Sequence, residues 1–333
     1  MTLHNQQITL GDQVYIESRL RPENAGEVVT QIYEGLTADQ KNISSRFFYD
    51  SYGSELFEQI TRLPEYYPSR TEISILKEIT PTLASVITNQ HIIELGSGDC
   101  SKISHLLNAL STSALENIRY IPVDISKSAI INSAKQLSDK YPALSIDGLH
   151  ADFINHLTSL PGKSGRFICF FGSTIGNFTR QQATGFLQNL YKMSAPGDHF
   201  LLGLDTVKEK DVIEEAYNDK QGITAEFNRN ILRVVNRYTK TDFDPDLFDH
   251  LAFYNHTHDR IEMHLVARRD MVVSSEIWER KIALKQGETI HTENSHKFRP
   301  EHIYQLARES GWKVADIFYD KSKWFSEVHF IHG

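Results

Sequence analysis

The hydrophobic pattern changes character along the chain. Between residues 90 and 207, short apolar runs alternate with segments of helical periodicity. The runs 91–96, 119–125, 145–151, 166–172 and 198–205 have the length and near-continuous apolar character of strands buried on both faces. Lys127 to Asp139 and Arg180 to Met193 read as helices, the second closed by Ala195-Pro196-Gly197. This alternation predicts an α/β fold with a parallel, doubly wound sheet. After Val207 the rhythm breaks. Residues 250–256 and 260–268 read as a hairpin turning at His256-Thr257-His258-Asp259, with further strands at Val272-Val273 and Lys281 to Leu284. From Pro300 the alternation returns, as a helix to Ser310 and two extended runs, Lys313 to Phe318 and Ser326 to Ile331. The pattern therefore predicts two bodies. Residues 71–207 and 299–333 form the sheet domain, and residues 1–70 and 208–298 form a second, discontinuous α+β lobe.

Composition narrows the function classes. The chain has 333 residues, enough for two domains, and its 40% hydrophobic and 23% charged content is that of a globular protein. A net charge of -8 offers phosphate no broad attraction, which argues against a nucleic-acid partner. Two cysteines, Cys100 and Cys169, are too few for a disulfide framework or a thiolate metal site. Met1 to Gln7 contains no basic region leading into an apolar core, so no signal peptide is expected. No run approaches the roughly 20 apolar residues that span a bilayer. These features lead to the expectation of a cytoplasmic protein with no membrane partner.

Candidate chemistry begins at His91-Ile92-Ile93-Glu94-Leu95-Gly96-Ser97-Gly98-Asp99, followed by Ile121-Pro122-Val123-Asp124-Ile125-Ser126. Each is an apolar strand closing on an acid. The Gly-x-Gly turn lets backbone approach a ligand, and an acid ending the next strand is placed to bind ribose hydroxyls. Only two of the three glycines of the dinucleotide fingerprint are present, since Cys100-Ser101-Lys102 follows. The spacing Glu94-x-Gly96-x-Gly98 instead resembles the S-adenosylmethionine loop of class I methyltransferases.

Longer motifs are more specific. Phe47-Phe48-Tyr49-Asp50-Ser51-Tyr52-Gly53-Ser54-Glu55-Leu56-Phe57 runs on to Leu63-Pro64-Glu65-Tyr66-Tyr67-Pro68-Ser69-Arg70. Phe171-Gly172-Ser173-Thr174-Ile175-Gly176-Asn177-Phe178, Phe227-Asn228-Arg229-Asn230 and Lys297-Phe298-Arg299-Pro300-Glu301 follow in order. Together these closely resemble the L-histidine Nα-methyltransferases of ergothioneine biosynthesis, from about residue 40 to the end.

The resemblance implies a Rossmann-like class I methyltransferase sheet with a substrate-binding lobe, working as a monomer on a small molecule. It implies S-adenosyl-L-methionine as methyl donor, held by Gly96, Gly98, Lys102, Asp124, Asp152 and Phe153. It places histidine against Tyr49, Tyr66, Asn177, Tyr217, Met263, Glu293 and Ser295, with Tyr49 and Asn177 nearest the chemistry. Asn177 and Tyr217 would hold the α-carboxylate, Glu293 and Ser295 the imidazole nitrogens, and Met263 the ring.

Taken singly, these residues have plainer readings. Asp152 also suits a helix N-cap, and Lys102 a solvated helix start. Asn177 after Gly176 suits a left-handed turn, and Tyr66-Tyr67-Pro68 an aromatic packing corner. Glu293 and Ser295 share one face of a strand, which also fits a solvated face. His256/His258 and His291/His296 lie in polar turns without a carboxylate pattern, so no metal is expected. The rival functions are methylation of a thiolated histidine or another amino acid, and a non-catalytic binding protein. Glu293 argues against tryptophan, whose indole has one donor and no acceptor. The intact Gly96, Gly98, Asp124 and Asp152 set argues against loss of catalysis.

Overall fold

A computed structural model describes residues 7–10, 13–20, 24–88, 90–154, 159–162 and 165–333. Residues 1–6, which carry most of the signal-peptide reading, lie outside the described set. The strands in chain order are β1 Gln7–Leu10, β2 Val14–Ser18, β3 His91–Leu95, β4 Arg119–Asp124, β5 Ser145–His150, β6 Arg166–Phe170 and β7 His199–Asp205. After these come β8 Phe248–Asn255, β9 Arg260–Ala267, β10 Met271–Val273, β11 Ile282–Leu284, β12 Thr289–His296, β13 Lys313–Tyr319 and β14 Phe325–Ile331.

Nine strands form one sheet in the order β1-β2-β5-β4-β3-β6-β7-β14-β13. Strands β3 to β7 are parallel, and β14 enters antiparallel between β7 and β13. This is the doubly wound arrangement that the alternation predicts, and the parallel strands β3, β6 and β7 are almost wholly buried, which is why they read as continuous apolar runs. Residues 299–333 do rejoin the sheet, through β13 and β14.

One expected boundary is corrected. Residues 7–18, assigned from sequence to the second lobe, extend the large sheet instead, with β2 parallel to β5. Val14 and Ile16 point into the sheet-domain core, and Gly148 gives Ile16 and Ile130 the room to close on β5. The alternation is too short to register as a strand by pattern alone.

Residues between 28 and 67 and between 213 and 290 share one hydrophobic core, distinct from the two that flank the sheet. Here β12, β9 and β8 make a separate antiparallel sheet. The helix Ile223–Thr239 packs its apolar face between that sheet and the helix Ser51–Thr61. The segment carrying this sheet leaves β7 and returns at the same point. The Phe298 N–H donates to the Asp205 carbonyl at 2.8 Å, and the Val207 N–H to the Phe298 carbonyl at 3.1 Å. No helix among the described residues is long and apolar enough to cross a membrane.

Candidate active site

Adjacent parallel strands end side by side, so the residues closing them form a crevice. After β3 the turn carries Gly96 and Gly98 at φ +69° and +52°, the left-handed region that glycine enters without strain. A side chain at Gly98 would meet nothing within 4 Å, while one at Gly96 would touch Phe153. The turn is thus an open cradle of backbone. Asp124 ends β4 and accepts from the Gly98 N–H at 3.1 Å and the Ser126 N–H at 2.8 Å. Burial raises its carboxyl pKa, and these N–H groups work against that rise. Glu94, on β3, is pushed up to about 8 by burial and accepts a 2.5 Å hydrogen bond from the Tyr120 hydroxyl.

Asp152 and Phe153 follow β5. The Asp152 carboxylate accepts from the Ile154 N–H at 2.9 Å, two residues on, while Phe153 packs edge-on against Phe170 and Phe186. The donor set fits S-adenosylmethionine: bare backbone for the methionine part, a carboxylate for the ribose, and a carboxylate beside an aromatic ring for adenine.

Lys102 is neither solvated nor free. Its ammonium lies 2.7 Å from the Glu72 carboxylate, whose other oxygen accepts from the Gly172 N–H at 2.6 Å. Glu72 is fully buried on the helix Tyr67–Ile87. It therefore ties the helix behind the glycine turn to the end of β6.

The turn beyond β6 brings in the substrate candidates. Ser173 takes the left-handed conformation at φ +55°, and its hydroxyl accepts from the Asp205 N–H at 2.9 Å. Asn177 has no positive φ, so the plainer reading of it as a left-handed turn residue is overturned. A Cβ on Gly176 would stand 2.9 Å from the His296 carbonyl, so only glycine lets the turn meet the end of β12. Tyr49, Tyr66, Asn177, Tyr217, Met263, Glu293 and Ser295 all line one cavity between this turn and the second lobe.

Each is aimed by its own element. Glu293 pairs directly with Met263 across β12 and β9, and Met263 with Ala252 across β9 and β8, so these side chains share a face. A bulge between His291 and Glu293 sets which residues point inward. The polar face of β12 is thus buried against a cavity, not solvated. Tyr49 is fixed through its neighbour Asp50, which caps the helix Ser51–Thr61 by accepting from Gly53 at 2.8 Å. Asp50 also binds Asn230 at 2.8 Å and pairs with Arg237. Phe57 and Phe227, which the sequence reading did not single out, complete an aromatic wall with Tyr49 and Tyr66 at centroid distances of 5.8–6.3 Å.

Behind the cavity lies a charged network that the sequence reading missed entirely. Lys297 is fully buried and lies 2.8 Å from Asp205, 2.8 Å from Ser295 Oγ and 3.1 Å from Tyr217 Oη. Asp205 also receives Lys208 at 2.5 Å and the Tyr67 hydroxyl at 2.8–2.9 Å. An acid closing β7, like Asp124 closing β4, was a visible signal for Asp205. Nothing in a lysine's identity marks it as buried.

Electrostatics follow from burial. Glu293 is pushed up to about 7 by desolvation, opposed by Lys297. The Tyr49, Tyr66 and Tyr217 phenols are all raised, burial being the largest cause, so each remains protonated at neutral pH. Burial lowers Lys208 to about 8.

The histidine pairs named from sequence do not form metal-like clusters among the described residues. His291 instead joins Glu262 and His264, with ligand atoms within 4.8 Å of one another. Arg260 already chelates Glu262 at 2.7–2.8 Å, and the His264 and His291 rings lie nearly face to face, 30° from parallel.

Comparison with known proteins agrees with this geometry. Residues 28–331 match the family described as histidine-specific methyltransferase, SAM-dependent. A histidine N-alpha-methyltransferase of Mycolicibacterium smegmatis is 40% identical over 293 residues, covering 88% of this chain and 91% of the relative. A 4-dimethylallyltryptophan N-methyltransferase of Claviceps purpurea is 28% identical over 308 residues, covering 84% of this chain and 88% of the relative. Among solved structures, the mitomycin 7-O-methyltransferase MmcR superposes with a TM-score of 0.50 at 10% identity. It covers 93% of this chain and 67% of that one, a likeness of fold alone.

Proposed function

The chain belongs to the S-adenosylmethionine-dependent histidine-specific methyltransferases, and we propose that it trimethylates the α-amino nitrogen of free L-histidine to hercynine, the first step of ergothioneine biosynthesis. One observation carries the reading. Seven residues from six separate segments of the chain converge on one cavity that the turn after β6 also lines, next to β3 and its glycine loop.

When bound, S-adenosylmethionine supplies an already activated sulfonium methyl. The chain's own task is to align a neutral amine with that methyl and keep water out. Gly96, Gly98, Asp124, Asp152 and Phe153 hold the donor, with Lys102 bracing the loop through Glu72. Residues 24–66 and 208–298 act as the substrate lobe. Asn177 holds the α-carboxylate, Met263 lines the ring pocket, and Glu293 and Ser295 bind the imidazole; Tyr217, expected beside the carboxylate, gives its one hydroxyl proton to Ser295 Oγ and so acts through that serine and its ring instead. The aromatic wall around Tyr49 accommodates the growing, increasingly cationic ammonium.

Tyr49 does not remove the amine proton. Its phenol is raised above the ordinary value by burial and by the nearby Glu293 charge, which leaves even less phenolate at neutral pH than a free tyrosine would have. The site therefore takes up the neutral fraction of the amine and leaves proton loss to solvent between methylations. The seven candidate substrate residues lie on this one chain, in keeping with a monomer as the working unit.

The test is incubation with S-adenosylmethionine and a panel of histidine, thiolated histidine and tryptophan, followed by mass spectrometry. Mono-, di- and trimethylated histidine is the expected outcome. Turnover of thiolated histidine with none of histidine would overturn the reading.

A further inference from the structure

The Ser295 hydroxyl is hydrogen-bonded in a way that decides what it can offer a ligand. Lys297 Nζ has three N–H donors and three acceptors around it: Asp205 Oδ2 at 2.8 Å, Ser295 Oγ at 2.8 Å and Tyr217 Oη at 3.1 Å. All three donors are spent. The Tyr217 hydroxyl, receiving Lys297, donates its own proton to Ser295 Oγ at 2.7 Å. A serine hydroxyl has two lone pairs and one proton. Here both lone pairs are filled, one by the ammonium and one by the phenol. Only the serine proton is left, and Ser295 lines the cavity.

The charge count shows that Lys297 does more than neutralise Asp205. Asp205 already has Lys208 at 2.5 Å, so the buried group Asp205, Lys208 and Lys297 carries one excess positive charge. Burial lowers both lysines; at Lys208 it prevails, whereas at Lys297 Asp205 and Tyr217 together outweigh it and hold the proton on. A fully buried cation is costly unless every N–H is satisfied, so the network holds its donors in one arrangement.

We propose that Lys297 is a specificity-determining positioning residue: by filling the acceptor sites of Tyr217 and Ser295 it makes Ser295 a donor only, so that the cavity requires an acceptor atom on the substrate ring. This rests on the histidine reading above and deepens it. Glu293, two residues away on the same face of β12, supplies the acceptor for a ring N–H. The pair then selects a neutral ring with one N–H and one bare nitrogen. Indole and pyrrole rings lack the second feature. With a neutral apolar residue at 297, Ser295 regains a free lone pair, turns either way, and the requirement for a ring acceptor relaxes.

The experiment compares kcat/KM for histidine, β-(1,2,4-triazol-3-yl)alanine and β-(pyrrol-2-yl)alanine. The intact protein should accept the triazole, which keeps N–H and bare nitrogen, and disfavour the pyrrole by about 10- to 100-fold. In Lys297→Met the ratio of histidine to pyrrole turnover should fall towards unity. Lys297→Gln, which restores two donors, should recover part of it. Ser295→Ala should lose the same discrimination, and the Lys297→Met/Ser295→Ala pair should lose no more than either alone. Cofactor affinity measured by calorimetry serves as the folding control, since mere structural damage lowers all rates without changing the ratio. Failure of the intact protein to methylate histidine sinks the functional reading. If histidine is methylated, equal turnover of the pyrrole by the intact protein sinks the donor assignment, as does an unchanged ratio in folded Lys297→Met. The comparison on the intact protein decides the matter even if the variants do not fold.

Discussion

Glu72 and Gly172 stand 100 residues apart in sequence and meet in a 2.6 Å hydrogen bond from the glycine N–H to the carboxylate. The same carboxylate holds Lys102, just beyond the glycine turn. One buried acid thereby links the cofactor loop to the loop that presents Asn177. Glu72→Ala leaves the Lys102 charge without its partner and the Gly172 N–H without its acceptor, a loss of roughly 3–5 kcal/mol. Urea unfolding should show that loss, with cofactor affinity reduced in parallel. Glu72→Gln, which restores the acceptor but not the charge, should recover part of it. Unchanged stability in the alanine variant would remove this link.

Asp124 should dominate cofactor affinity. Its replacement by alanine deprives the ribose hydroxyls of a charged acceptor and frees the Gly98 N–H. Calorimetry should record a weakening of about 10- to 100-fold, corresponding to the 1.5–3 kcal/mol of such a contact. Equal affinity in the variant would exclude Asp124 from the cofactor site.

Glu293 should trade stability for recognition. Its pKa is raised from the ordinary 4.5 to about 7 by burial. Below pH 4.5 the group is protonated in folded and unfolded chains alike and makes no difference. Between 4.5 and 7 only the unfolded chain ionises, so stability falls as pH rises. Above 7 the folded protein bears the full cost of a buried charge. Glu293→Gln should therefore raise the Tm of the ligand-free protein above pH 7, on the order of a few degrees, with no gain below pH 4.5. Histidine affinity should fall about 10- to 100-fold in the same variant while cofactor affinity holds. A variant that methylates histidine as well as the parent would show that the imidazole is read elsewhere.

Asp50 touches none of the cavity, yet it sets the position of Tyr49 through Gly53, Asn230 and Arg237. Asp50→Ala should lower kcat by about tenfold or more, because small misplacements of an aligned site are costly. Single-turnover rates alongside cofactor affinity separate this from a cofactor effect. A kcat equal to the parent's would mean that Tyr49 is held by its ring contacts alone.

The sheet domain was legible because buried parallel strands are continuous apolar runs. The run 91–96 becomes His91–Leu95, and Arg180 to Met193 is the helix expected. The opposite holds for Thr289–His296, whose sequence TIHTENSH leaves Ile290 as its single apolar signal. This strand buries polar side chains against a cavity, which inverts the alternation that marks a half-buried strand, and a bulge shifts its phase. The cavity residues themselves were legible only through long motifs. Lys297 was printed in one of those motifs and still missed, since its burial depends on Asp205 from β7, 92 residues earlier. Pairing of that kind exists only in three dimensions.

The segment between β7 and the closing helix departs and returns through a single stitch, with Phe298 hydrogen-bonded on both sides of Thr206 and Lys297 clasping Asp205. A loop whose two ends meet reaches the sheet's strands mainly through that stitch, while its body shares a core with residues 28–67 and rests on the turn after β6. The unit to exchange is therefore the whole lobe: a graft keeping residues 205–208 and 297–298 replaces the body between them together with the segment 24–66 that packs on it. Substrate preference in such a scaffold can drift without renegotiating the catalytic platform, and chimeras joined at these points offer a direct route to new amine substrates.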